Sequence, residues 1–130
     1  MPKIFSSPHF VASCTPEQLA LLKTMFVKYK TTGEADPSFG RDVPFEFPSH
    51  IANSGLHHIH IKDKTSENWH LKKIQLHKTS DTALIYCEGF YDKSNYLLLG
   101  FLENAHDTYR RNRDYLRNLA LIADKFRDKY

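Results

Sequence analysis

The stretch His57-His58-Ile59-His60-Ile61-Lys62 decides the fold. Side chains of a strand point alternately to its two faces. Ile59 and Ile61 therefore share one face, and His58, His60 and Lys62 share the other. The same alternation returns over Leu71–His77, where Ile74 and Leu76 oppose Lys73, Gln75 and His77. Further along, Ala83–Phe90 and Tyr96–Leu102 are apolar almost throughout, as central strands are. Between them, Tyr91-Asp92-Lys93-Ser94-Asn95 has the composition of a hairpin loop. These segments predict a mostly antiparallel sheet with one apolar face and one face carrying rows of His, Lys and Gln.

Helices bracket that sheet. Thr15-Pro16-Glu17-Gln18 is a helix start: threonine caps, proline suits the first turn, and Gln18 completes a capping box. Leu19, Leu22, Phe26 and Tyr29 then recur at helical spacing, and Gly33 is placed to end the helix. At the other end, Asp107–Tyr130 reads as a helix with Leu116, Leu119, Ala120, Ala123 and Phe126 in one stripe. Lys3–Ala12, broken by Pro8, reads as a short or edge strand. Residues 34–54, with Pro37, Gly40, Pro44 and Pro48, read as a long loop. Within it, Phe39-Gly40-Arg41-Asp42 taken alone is a turn with a surface ion pair. The architecture expected is α+β, with helices packed on the apolar face of the sheet.

The chain has 130 residues, 41% of them apolar and 25% charged, which fits one soluble domain covering 1–130 rather than a disordered chain. The longest strongly apolar run, Tyr96–Leu102, is far below the ~20 residues of a membrane span. Met1-Pro2-Lys3-Ile4-Phe5 lacks the apolar segment of a signal peptide. Two cysteines, Cys14 and Cys87, are too few for a disulfide scaffold, and Cys87 in its apolar run reads as a buried thiol. The expected location is the cytoplasm.

The net charge of +3 suggests little until it is divided. Residues 57–80 carry five lysines against Asp63 and Glu67, with five of the eight histidines. The region from residue 106 is also basic, with Arg110, Arg111, Arg113 and Arg117 crowded near the expected helix start, where they oppose the helix dipole. Lysine and arginine attract phosphates. Histidine titrates near neutrality and serves as acid or base. Metal-free RNA cleavage needs a base for the 2′-hydroxyl, an acid for the leaving oxygen and cations for the phosphorane. The polar strand rows and the junction at His106 carry all three kinds of group. Phe39, Phe45, Phe47, Trp69, Tyr86 and Tyr109 are aromatics available for stacking on bases. His58 and His60 share a face, but two histidines without a CxxC or HExxH motif are a weak zinc signal, and neither metal nor cofactor is expected.

The chain resembles the YafO toxins of the RelE superfamily over nearly its whole length. The resemblance rests on Thr15-Pro16-Glu17-Gln18-Leu19, Tyr29-Lys30 with Gly33, Phe39-Gly40-Arg41-Asp42 and His58-Ile59-His60. It continues through Gln75, Lys78-Thr79-Ser80-Asp81, Tyr86-Cys87-Glu88-Gly89 with Asp92, Ala105-His106, Arg110 and Phe126-Arg127. It implies a RelE-like fold, a small antiparallel sheet flanked by an N-terminal helix and a long C-terminal helix. It also implies a toxin of a type II toxin–antitoxin system, held inactive by a cognate antitoxin, that cuts mRNA in the ribosomal A site without metal. Tyr109 and Arg111 depart from the family pattern.

The residues to which the resemblance points are those that charge and alternation isolate. His106 and His60 are expected to transfer protons, and Arg41 and Arg110 to stabilise the phosphorane. Asp81 or Asp42 would orient an arginine. His58, Lys62, Lys73, Gln75, Lys78, Arg111 and Arg113 would hold the RNA backbone. The expected partners are the antitoxin, the ribosome and mRNA; no membrane is involved, and the free toxin is expected to be a monomer. A nuclease acting on free RNA or nicking DNA, or a non-catalytic ParE-like binding toxin, are the alternatives.

Overall fold

A computed structural model describes residues 2–34, 39–46, 49–61, 82–103 and 113–130. In chain order these form β1 (Lys3–Ser6), α1 (Pro8–Ser13), α2 (Pro16–Thr32), β2 (Phe39–Pro44) and α3 (Ser49–Asn53). They continue with β3 (His57–Ile61), β4 (Thr82–Glu88), β5 (Asn95–Glu103) and α4 (Arg113–Lys129). The architecture is α+β, as expected. The strand expected over Leu71–His77 and residues 107–112 of the helix expected from Asp107 lie outside the described residues.

Among the described residues five strands form one sheet in the order β1-β5-β4-β3-β2. The pairings β2–β3, β3–β4 and β4–β5 are antiparallel, whereas β1 runs parallel to β5. The sheet is therefore mixed, not purely antiparallel. Parallel neighbours need a crossover rather than a hairpin, and here almost the whole chain separates the two strands.

Local chemistry accounts for most of the elements. The hydroxyl of Thr15 accepts from the Gln18 amide while the Gln18 side chain accepts from the Thr15 amide, a complete capping box. Gly33 ends α2 in the left-handed region at φ 77°, with its N–H donated to the Tyr29 carbonyl. In the segment expected to be a strand up to Ala12, only Lys3–Ser6 is one. Ser7 turns the chain there: its hydroxyl accepts from the Phe10 amide, with Pro8 opening α1, and donates to the Leu99 carbonyl.

The expected loop over 34–54 is corrected more substantially, because it contains β2 and α3. The pattern of β2 was concealed by a bulge. Phe39 pairs with Ile61 and Asp42 with Ile59, so residues three apart share a face and the alternation breaks at Gly40-Arg41.

The helices also cover both faces, not one. Phe10, Leu22, Met25 and Phe26 of α1 and α2 pack on Ile59, Ile61, Leu84, Tyr86 and Leu98. Leu116, Leu119, Ala120, Ala123 and Phe126 of α4 pack on Ile85, Cys87, Leu97 and Leu99 from the opposite side, with Ile51 and Leu56 completing that cluster. All five residues of the stripe read for the last helix are buried. Residues 82–87 of β4 are buried on both faces, which is why that strand reads as a continuous apolar run. Each large side chain fully buried this way contributes about 1.5–3 kcal/mol. Cys87 is a buried free thiol, and burial pushes its pKa up to about 12.

Candidate functional site

Two polar groupings lie on opposite faces of β2 and β3. The first centres on Asp42, whose side chain is 15% exposed on the face packed by α2. The Tyr29 hydroxyl donates to Asp42 Oδ2 at 2.6 Å, and the Tyr86 hydroxyl reaches the same oxygen at 2.7 Å. Lys30 Nζ donates to the Tyr86 oxygen at 3.0 Å and stands 3.6 Å from the carboxylate. The rings of Tyr29, Tyr86, Tyr96 and Phe26 surround that ammonium, with centroids 4.6 to 5.7 Å away. His57 stacks on Tyr86 at 5.2 Å and brings Nδ1 to 4.0 Å from Asp42 Oδ1.

The electrostatics of this cluster are those of a holding network. Burial, then the hydrogen bond and charge of Asp42, push the Tyr29 phenol up to about 12. The same carboxylate, after burial, raises Tyr86 far above the ordinary phenol range. Both hydroxyls therefore stay protonated donors at neutral pH. Burial lowers the His57 pKa, with Asp42 opposing. The carboxylate accepts from two hydroxyls and faces an ammonium. The network ties the end of α2 to the sheet.

The second grouping lies on the other face. His58 and His60 alternate with Ile59 and Ile61 as expected, and both are partly buried. His58 packs its ring against Phe45 at 4.5 Å. His60 stands in register with Ala83 and, one strand further, Leu102. Its ring lies against Gly40: a Cβ there would stand 3.4 Å from His60 Cδ2 and 3.2 Å from its carbonyl oxygen. The bulge beside it carries Arg41, which is exposed. At this end of the sheet β2 begins, β3 ends at Ile61, β4 begins at Thr82 and β5 ends at Glu103, in register side by side. Arg41 and His60 thus stand where the described chain leads into residues 62–81 and 104–112.

The profile of one family, described as "Toxin YafO, type II toxin-antitoxin system", matches residues 27–128. The chain belongs to the YafO toxin family. Membership brings a cognate antitoxin as partner. The "mRNA interferase toxin YafO" of Escherichia coli (strain K12) is 26% identical over 98% of this chain and 99% of its own. No solved structure matches. The YafO match begins at Val27 in α2 and so contains both polar groupings complete.

Of the residues singled out in the sequence of this YafO toxin, Arg41, Asp42, His58 and His60 are described. The structure separates Asp42 from the two histidines by the thickness of the sheet. The ion pair read for Asp42 and Arg41 is replaced by Lys30 and two tyrosines. Arg113 opens α4. His106, Asp81, Arg110, Lys62, Lys73, Gln75, Lys78 and Arg111 lie outside the described residues. The aromatics proposed for base stacking need correction: Phe39, Phe45 and Tyr86 are 4%, 8% and 2% exposed and serve the core instead. Phe47, Trp69 and Tyr109 lie outside the described residues. Sequence reasoning missed Tyr29, Lys30, His57 and Tyr86 as a polar cluster. Lys30 appeared in the sequence only within a family signature, Tyr29 also in an apolar stripe and Tyr86 also as a ring for base stacking. Among the described residues no three His, Cys, Asp or Glu side chains converge as metal ligands, and no helix is long and apolar enough to cross a membrane.

Proposed function

We propose that this toxin is an endoribonuclease that cleaves mRNA on the ribosome by general acid–base chemistry. The observation that carries the reading is the end-to-end similarity to a relative named as an mRNA interferase. The placement of Arg41 and His60 at one end of the sheet supports it, because the segments bearing Asp81, His106 and Arg110 attach there. In the reaction a base removes the proton of the 2′-hydroxyl, whose oxygen attacks the adjacent phosphorus. An acid protonates the leaving 5′-oxygen, so a 2′,3′-cyclic phosphate and a 5′-hydroxyl result. His106 and His60 fill the two proton-transfer roles, and Arg41 and Arg110 neutralise the phosphorane. Asp81 is the carboxylate that orients an arginine, since Asp42 is engaged elsewhere. His58, Lys62, Lys73, Gln75, Lys78, Arg111 and Arg113 hold the RNA backbone.

The test is to induce wild type and His106→Ala and map transcript 5′ ends. New ends in ribosome-covered messages are expected with wild type and not with the variant, which still folds and still binds antitoxin. Full cleavage by His106→Ala removes that residue from the mechanism. Cleavage of purified RNA at the same rate without ribosomes removes the ribosome from it.

A further inference from the structure

β5 carries a bulge of its own, and side chains from two helices meet over it. Gly100 stands opposite Ile85 and Leu98 opposite Tyr86, so Leu99 is an extra residue. The Ser7 amide donates to the Leu98 carbonyl and the Ser7 hydroxyl to the Leu99 carbonyl, which seats the start of α1 on the bulge. That seat places His9 beside Gly100, and Tyr115 reaches the same spot from the first turn of α4. His9 Nε2 and the Tyr115 hydroxyl share a hydrogen bond of 2.9 Å, with their rings edge to face at 5.1 Å. A Cβ on Gly100 would stand 2.8 Å from that hydroxyl and 3.4 Å from His9 Cδ2, so the pair occupies the room a side chain would take. Burial pushes the Tyr115 phenol up to about 12, which keeps it a hydroxyl at neutral pH.

The place of this contact matters more than its strength. Gly100 pairs with Ile85 and Ile85 with His58, in the row of the sheet next to that of Leu102, Ala83 and His60. Two residues of strand set the rows about 6.6 Å apart. The first turn of α4 therefore meets β5 beside the row that holds His60, and Arg113 precedes Tyr115 by two residues. Residues 104–112, which carry His106 and Arg110, join the end of β5 to that same turn. A solvent-exposed hydrogen bond adds little to global stability. What this one fixes is where α4 begins.

We propose that His9 is a positioning residue for RNA cleavage: through Tyr115 it holds the first turn of α4 against Gly100 and so sets the groups at that turn relative to His60. This rests on the cleavage reading of the face that carries His60. His9 acts through Tyr115 and not on the substrate.

The experiment measures kcat and KM on ribosome-bound message for wild type, Tyr115→Phe, His9→Ala, the double variant and His9→Gln. Each of the first two substitutions is expected to lower kcat per folded molecule about tenfold with KM nearly unchanged, the effect of a small misplacement. The double variant is expected to be no slower than either, because both lose the same bond. His9→Gln, whose amide reaches the same hydroxyl, is expected to restore kcat. Tyr115→Phe removes only a hydroxyl and decides the matter if His9→Ala does not fold. Wild-type kcat in Tyr115→Phe and His9→Ala overturns the proposal and leaves a structural tie. Additive losses overturn it as well, and so does a His9→Gln as slow as His9→Ala, which would make the imidazole itself a reacting group. A wild type that cleaves no RNA removes the cleavage reading and this proposal with it, whereas unaffected variants of an active wild type remove this proposal alone.

Discussion

Asp42 and His60 stand on neighbouring strands and face opposite ways, and their surroundings differ in kind. Asp42 is enclosed beneath α2, its oxygens taken by Tyr29 and Tyr86 and its charge met by Lys30. His60 is partly buried at the edge of a bulge, with its ring against Gly40. A carboxylate held by two hydroxyls fixes geometry, whereas the His60 imidazole stands beside exposed Arg41 at the end of its strand. Of two residues that both look chemical in the sequence, the proposed function gives Asp42 a structural role and His60 a chemical one.

Substitutions at the two positions should therefore separate cleanly. The largest expected effect is on chemistry. His60→Ala lowers cleavage about 10²–10⁴-fold, measured by primer extension on ribosome-bound message, while urea unfolding stays near wild type. Loss of folding with retained specific activity would reverse the assignment. Asp42→Ala leaves two phenols without their acceptor and Lys30 without its counter-charge, and costs about 3 kcal/mol in urea unfolding. Cleavage per folded molecule is unchanged; a stable but inactive variant would put Asp42 back into the reaction. Tyr29→Phe removes one donor from a carboxylate that keeps two others, at about 1 kcal/mol, again without effect on cleavage.

The smallest effect is a pH dependence. The folded protein binds the His57 proton less readily than the unfolded chain, because burial lowers that pKa. The stability this contributes is complete above the ordinary histidine value of about 6.5 and is lost as pH falls through the lowered one. Tm should drop on acidification through that window. The drop should be shallower in His57→Phe, which keeps the stack on Tyr86.

What the sequence disclosed depended on how local the controlling interactions are. The capping box of α2, the glycine that ends it, the five-residue stripe of α4 and the alternation of β3 each depend on residues within a turn or two, and all were legible. β2 was not, because the Gly40-Arg41 bulge shifts Asp42 onto the face of Phe39 and Pro44 closes the strand. The parallel seat of β1 depends on Asn95–Leu98, at the other end of the chain. The cluster around Asp42 was hidden for the same reason: Tyr29 and Tyr86 lie 13 and 44 positions away in sequence. Reading Tyr86 as a ring for stacking on bases followed from its type, and only its neighbours show that it is enclosed.

The pairing of β1 with β5 has a consequence for how the toxin is made. Lys3 is synthesised well before Asn95, yet they are neighbours in the finished sheet. β4 and β5 occupy its middle. Contacts so distant along the chain form late and slowly. The growing polypeptide therefore cannot close its sheet, or set Arg41 and His60 against their surroundings, until residues 82–103 have emerged. A protein proposed to attack translating ribosomes thus lacks an assembled sheet until that stretch of its own chain has been made.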